Sequence, residues 1–414
     1  MKPPARRVAR LLAGSGLAAA LLLPAAAPVH AAPFPGMPRA DGEKGQGLPS
    51  MPSALDPEDG EAACTPASDE NAKKQDWSRQ RLDLDRLHRH GTGEGVTVAL
   101  IDTGVAPRAA GLGGRVTAEG AAADDCVGHG TFLAGLIAGN GGEGSRLVGV
   151  APDAKILALR GTDEHGKARA DLVAQALRQA ASARADVIAV TAALPRRDPA
   201  VTRAVAGARR SGAVVVAAAA PDPRTGGGTD KIPSRTYWPA GEPGVLSVAD
   251  MLPSGARPDG SPPADGIDLA APGAGVVSGG PRGGHYLGGG ASVATAYAAG
   301  AAAVVRAARP DDSPAAVTRR LTGSAYPADI PQLDPYAAAT GVHGDSGPVA
   351  GADRADDPVT LRDTSAVDRV TDRATLFVLL GTAAVLAVLW AAFTLPRARA
   401  RGWRPAGAGG AGKE

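Results

Sequence analysis

Val96-Thr97-Val98-Ala99-Leu100-Ile101-Asp102-Thr103-Gly104-Val105 is an almost unbroken apolar run that ends in an aspartate and a glycine. A strand apolar on both faces belongs in a sheet covered on both sides, the usual state of a parallel sheet flanked by helices. Asp102 falls just past the C-terminal end of that strand, where sites form on such sheets. Taken alone it has two readings: a site carboxylate, or an Asp bonding its own turn.

Outward from this stretch the pattern repeats. Further strands are expected over Lys155–Arg160, Asp186–Val190, Ala213–Ala219 and Val245–Ala249. Helices are expected between them, over Gly130–Ala138, Ala170–Ala183, Ala200–Ser211 and Ser292–Ala308. Strands alternating with helices define an α/β domain with a largely parallel sheet. It spans 75–342, between a Pro- and Gly-rich, flexible N-terminal extension (32–74) and an Asp-rich stalk (343–373). At roughly 100–200 residues per domain, 414 residues hold one large or two medium domains plus such tails.

Composition excludes several classes. The 56 glycines and 35 prolines are not periodic, so the chain is not collagen-like. A net charge of +2 with 3% aromatic residues offers neither a basic stripe nor a stacking surface for nucleic acid. Two cysteines make neither a disulfide-dense scaffold nor a cysteine-built zinc site. His88, His90, His165, His285 and His343 stand at no metal-ligand spacing, so no metal or other cofactor is assigned.

The two ends set the compartment. Lys2, Arg6, Arg7 and Arg10 precede an apolar run, Leu11–Ala27, and the small residues around Ala31. That order is a signal peptide over 1–31, or else a short membrane anchor. A second apolar run, 374–395, has 22 residues and no charge, enough for a transmembrane helix. Pro396 ends the run, and a basic tail (396–414) with Arg397, Arg399, Arg401, Arg404 and Lys413 follows it. The opposite flank holds seven Asp and four Arg, so the tail is expected in the cytoplasm and the bulk of the chain outside it. The expectation is a single-pass protein of the cell membrane. There Cys64 and Cys126 can pair, or stay as two free thiols.

Two further segments bear chemistry. Gly128-His129-Gly130-Thr131 leads into an apolar helix. Gly288-Gly289-Gly290-Ala291-Ser292 leads into a helix of small residues. A Ser at a helix start is ordinarily a cap, but it can be a nucleophile whose developing anion is favoured by the helix dipole. Asp102, His129 and Ser292 together supply an orienting carboxylate, a proton acceptor and a nucleophile. Their order along the chain is one in which such a triad is known to occur.

With these residues in place the sequence resembles the subtilisin-like serine proteases. The matching pieces are IDTGV (101–105), GHGT (128–131), GVAP (149–152), DLAAPG (268–273) and GASVATAYAAG (290–300). The resemblance implies a three-layer α/β sandwich and an endopeptidase with Asp102, His129 and Ser292 as its triad. Cys126 just before the histidine, Cys64 upstream and the C-terminal membrane helix resemble, more narrowly, the mycosins, membrane-anchored subtilases of type VII secretion systems. That likeness implies a Cys64–Cys126 disulfide, protein or peptide substrates, and membrane components of the secretion system as partners. The alternative is a catalytically impaired subtilase serving as a structural part of the secretion complex.

The sequence also departs from the subtilase pattern. An AAAGN-like segment normally supplies an Asn donor to the oxyanion, and by resemblance Pro221 stands in its place, with no side-chain donor and no N–H. Ala291 and Ala296 replace the usual Thr and Pro around the serine. Thr191-Ala192-Ala193 and Ala217-Ala218-Ala219 are expected, by resemblance, to wall the substrate cleft, and Trp238-Pro239 to carry a cis peptide.

Overall fold

Strand β1 (Thr97–Asp102) sends Val98 and Leu100 into one buried apolar cluster and Ala99 and Ile101 into another. This two-sided burial is why the stretch reads as continuously apolar. The structure, a computed structural model, describes residues 47–55, 63–72, 74–109, 111–141, 146–223, 234–341 and 365–402. Short helices α1 (Trp77–Arg81) and α2 (Leu84–Leu87) precede β1. Then come β2 (Val116–Thr117), α3 (His129–Ala138), β3 (Lys155–Arg160), α4 (Ala170–Ser182), β4 (Val187–Val190), α5 (Pro199–Arg210) and β5 (Val214–Ala218). The domain ends with β6 (Leu246–Met251), β7 (Leu269–Pro272), β8 (Val276–Gly279), β9 (His285–Gly288), α6 (Ala291–Ala308), α7 (Pro314–Gly323) and α8 (Pro335–Thr340).

Seven strands form one sheet in the order β2-β3-β1-β4-β5-β6-β7, and every pairing in it is parallel. Helices α3 and α6 cover one face, and α4 and α5 the other. This is the parallel α/β domain the alternation implies, in the three layers that the resemblance implies. Helix α4 turns Val173, Ala174, Ala176, Leu177 and Ala180 inward, a stripe at helical period. Helix α5 begins where Asp198 accepts from the Ala200 and Val201 N–H groups, with Pro199 in the first turn. Helix α6 runs through the core with Ala291 to Val305 all buried. Its alanines and glycine let neighbouring backbone come close on every side.

Elements not anticipated are helices α1, α2, α7 and α8 and the short strands. Strand β2 has two residues, β7 has four, and β8 and β9 form an antiparallel pair of four residues each. Strands this short show no period.

The N-terminal extension was expected to be flexible, yet its described parts are held against the domain. The Met51 N–H donates to the Leu287 carbonyl, the Leu287 N–H donates to Pro49, and Met51 is buried. Cys64 and Cys126 form a disulfide, and the Thr65 hydroxyl donates to the Val127 carbonyl at 2.6 Å. Just past the extension, Arg79 of α1 is buried and donates to the Val148 and Val277 carbonyls. A Pro-rich segment lacks periodicity but can still be pinned by backbone hydrogen bonds and a covalent link.

Residues 1–46, which include the expected signal peptide, and 342–364, which include most of the stalk, lie outside the described residues. The C-terminal unit holds α9 (Ser365–Ala400). Its apolar segment Phe377–Ala398 is long enough to cross a membrane. Pro396 does not end this helix, which runs on to Ala400. Arg397 donates from its guanidinium to the Phe393 carbonyl beside the proline.

Candidate active site

From β1 the chain goes to β2 and β3 on one side and only then to β4 on the other, so the strand order reverses at β1. The crevice at the carboxyl ends of these strands is the natural site of the fold. Asp102, the last residue of β1, lies there. Its carboxylate meets His129 Nδ1 at 2.9 and 3.0 Å and accepts from the Thr103 N–H at 2.7 Å. The Thr191 hydroxyl, just past β4, reaches the same carboxylate. Thr191 therefore turns toward Asp102, and Ala217–Ala219 are buried; these were the residues expected to wall a cleft. The Trp238–Pro239 peptide is cis.

His129 opens α3. The turn before it needs Gly128 in the left-handed region, at φ 87°. A Cβ on Gly130 would overlap the Gly104 carbonyl, so glycine lets α3 dock against the loop after β1. Asp125 fixes this turn. One of its oxygens accepts from the Gly128 N–H and the Thr103 hydroxyl, both at 2.8 Å. The other accepts from the Thr131 N–H at 2.8 Å and the Thr131 hydroxyl at 2.6 Å. Burial pushes the Asp125 carboxyl up from the ordinary range, against the pull of Thr131 and Thr103.

Ser292 lies in the first turn of α6, and its Oγ is 3.1 Å from His129 Nε2. Serine, imidazole and carboxylate thus form one hydrogen-bonded line, all three residues buried. Burial alone would raise the Asp102 carboxyl, but the charge and hydrogen bond of His129, with hydrogen bonds from the Thr191 hydroxyl and the Thr103 N–H, hold it below its ordinary value. Burial would likewise lower His129, but Asp102 and then Asp222 hold it well above the ordinary imidazole value.

Asp222 corrects the sequence reading. It lies in the loop after β5, and it is Asp222, not Pro221, that reaches the serine. Its Oδ1 accepts from the Ser292 N–H at 3.0 Å. Its Oδ2 lies 2.5 Å from Ser292 Oγ and 3.3 Å from His129 Nε2. Asp222 follows directly on Pro221, the residue expected to stand in the oxyanion region. Gly290 has φ 123°, and a Cβ there would overlap the Asp222 carboxylate. The signal for Asp125 was its place within Asp125-Cys126-Val127-Gly128-His129. Thr191 had a signal too, at the end of a predicted central strand.

A serine hydroxyl, an imidazole and a buried carboxylate aligned at the carboxyl edge of a parallel α/β sheet define a serine hydrolase. The chain belongs to the subtilase family of serine endopeptidases, which matches residues 93–361. It is 33% identical to Mycosin-1 of Mycobacterium tuberculosis over 305 residues, 60% of this chain and 68% of that one. It is 32% identical to Subtilisin E of Bacillus subtilis over 263 residues, 62% of this chain and 67% of that one. Among solved structures it resembles MycP1 from Mycobacterium smegmatis, with a TM-score of 0.57 at 26% identity, covering 67% of this chain and 88% of that one. It also resembles the MycP3 protease from the type VII (ESX-3) secretion system, with a TM-score of 0.57 at 27% identity, covering 71% and 94%.

Proposed function

We propose that the chain is a membrane-anchored, extracytoplasmic endopeptidase working through Asp102, His129 and Ser292. The observation that carries this reading is the unbroken line from Asp102 through His129 to Ser292 Oγ, at 2.9 and 3.1 Å. Ser292 Oγ attacks a peptide carbonyl while His129 Nε2 takes its proton. Asp102 holds the imidazole by Nδ1 and balances its charge. The proton passes to the leaving amine, and water then releases the acyl group from Ser292. The peptidase domain occupies 75–342, a signal peptide directs its export, and 374–395 tether it to the membrane with the basic tail in the cytoplasm. The likeness to the mycosins, and to a MycP1 described as an essential component of the type VII (ESX-1) secretion system, supports a place beside secretion membrane components.

The test is labelling of the full-length chain in detergent micelles with a serine-directed fluorophosphonate, beside Ser292→Ala. Labelling of the parent alone is expected. Equal labelling of both would remove Ser292 from its role. A second reading, a structural component with little proteolysis, draws on Asp222, whose carboxylate covers the Ser292 N–H. That reading expects no labelling of a folded parent.

A further inference from the structure

We propose that Asp222 is the second oxyanion donor of this site, acting as a neutral carboxylic acid that shares a single proton with His129. The inference rests on the triad reading above and deepens it.

Three contacts lead there. Asp222 Oδ1 occupies the Ser292 N–H, one of the donors an oxyanion requires. Asp222 Oδ2 lies 2.5 Å from Ser292 Oγ, and if it is ionised it draws the serine proton away from the imidazole. The same Oδ2 is 3.3 Å from His129 Nε2, so an imidazolium there lies between two carboxylates, Asp102 and Asp222. An ionised Asp222 therefore opposes the reaction three times: it repels an oxyanion, diverts the nucleophile's proton and keeps the base protonated. A neutral Asp222 does the reverse. A carboxylic acid held neutral in a buried site is an effective oxyanion donor.

One proton distinguishes the two states. On His129 Nε2 it gives the closed, ion-paired form. On Asp222 Oδ2 it leaves Nε2 with a free lone pair facing Ser292 Oγ and turns Asp222 into a donor. From this second form the step balances. The substrate carbonyl oxygen displaces Asp222 Oδ1 from the Ser292 N–H. Ser292 gives its proton to Nε2 as the Oγ–C bond forms. The carbonyl π pair moves onto oxygen, where the Ser292 N–H and the Asp222 O–H hold it. His129 then protonates the leaving nitrogen as the C–N bond breaks, and Asp222 keeps its proton throughout.

Among the described residues, the charged groups facing Asp222 are few. His129 approaches from α3, with Asp102 of β1 behind it and Asp125 at the base of the α3 turn. From α6 come the Ser292 N–H and the positive helix end. Tyr237 shares a small buried cluster with Ala220 and Ala291 nearby. The His129–Asp222 pair must carry one proton: with none the donor is lost, and with two the base is lost.

The experiment measures casein hydrolysis by the full-length chain in detergent micelles from about pH 4 to about pH 10. The samples are the parent, Asp222→Asn, Asp222→Ala and Ser292→Ala, with thermal unfolding confirming that each is folded. An Asn carries a permanent N–H donor and no charge. The parent should show a narrow bell. Asp222→Asn should keep only the acid limb and exceed both the parent and Asp222→Ala by about 10²-fold on the alkaline side. NMR of His129 should show its ring losing a proton at lower pH in Asp222→Asn, since one neighbouring carboxylate is gone. Superimposable profiles for parent and Asp222→Asn, or equal rates for Asp222→Asn and Asp222→Ala, overturn the inference and leave the triad standing. Silence in every folded sample, or activity in Ser292→Ala, sinks the triad reading and this inference with it.

Discussion

Asp102 stays charged in a buried place because its donors outweigh the cost of burial, and each donor can be removed singly. Thr191→Val deletes the hydroxyl that reaches the carboxylate and keeps the shape. A hydrogen bond to a charged group is worth about 1.5–3 kcal/mol, so kcat should fall by about 10- to 100-fold with KM unchanged. Steady-state kinetics checks this, and an unchanged kcat would leave Thr191 a merely structural role. The pH dependence of stability has a definite sign. The Asp102 carboxyl lies below its unfolded value. Its contribution is present above the unfolded carboxylate range and is lost as pH falls through the folded value. Thermal unfolding of the parent against pH should therefore drop more steeply in acid than that of Asp102→Asn. The proposed triad was legible from three short motifs taken together and their resemblance to the subtilases, since each residue alone has a plainer reading. Asp222 was not, because no residue type marks which position after a buried strand turns back to the serine. Thr191 and Asp125 stood at marked positions, but their partners were hidden for a related reason: they act on the backbone and carboxylate of other segments, and those contacts exist only once the strands are side by side.

At the level of elements, the start of α3 is the most demanding point of the fold. Four donors converge on Asp125: two N–H groups, of Gly128 and Thr131, and two hydroxyls, of Thr103 and Thr131. Asp125→Asn turns one acceptor oxygen into a donor facing the Thr131 N–H. The expected loss is about 2–3 kcal/mol, seen as a lower urea midpoint, together with a fall in kcat as His129 loses its fixed turn. A variant as stable and as fast as the parent would show that the turn is held by other contacts. Central strands and long helices were legible, since β1, β3, β4 and β5 are apolar on both faces and α4 and α5 carry one apolar stripe. Strand β7 was not, although Leu269–Pro272 lies inside a quoted motif, because four residues define no period. Helix α6 shows the limit of hydropathy alone. It is long and apolar enough to cross a membrane, yet 83% of it is buried within the domain, and small residues pack all its faces.

At the scale of the whole molecule, two features bear on the proposed peptidase, a disulfide and a candidate membrane span. The first is the Cys64–Cys126 disulfide, which closes a separation of 62 residues and joins the extension to the chain three residues before His129. A loop of that size corresponds to about 4 kcal/mol, so the Cys64→Ser, Cys126→Ser double variant should unfold at distinctly lower urea than the parent. The second is α9, the membrane tether of the proposed function. Phe377 and Trp390 stand 70% and 71% exposed on it, within an apolar segment of 22 residues. Large contiguous apolar surface is not left in water, and at 1.5 Å per residue the segment spans about 33 Å, enough for a bilayer core of about 30 Å. The positive residues follow this segment and the acidic ones precede it, the asymmetry on which the proposed cytoplasmic tail rests. The full-length chain should therefore remain with membranes through alkaline carbonate extraction, and a chain ending at residue 364 should be released into the soluble fraction. A protease added outside intact cells should remove the domain and leave a C-terminal tag protected. Digestion of the tag, or extraction of the full-length chain by carbonate, would show that α9 does not span the membrane in the orientation its flanking charges specify.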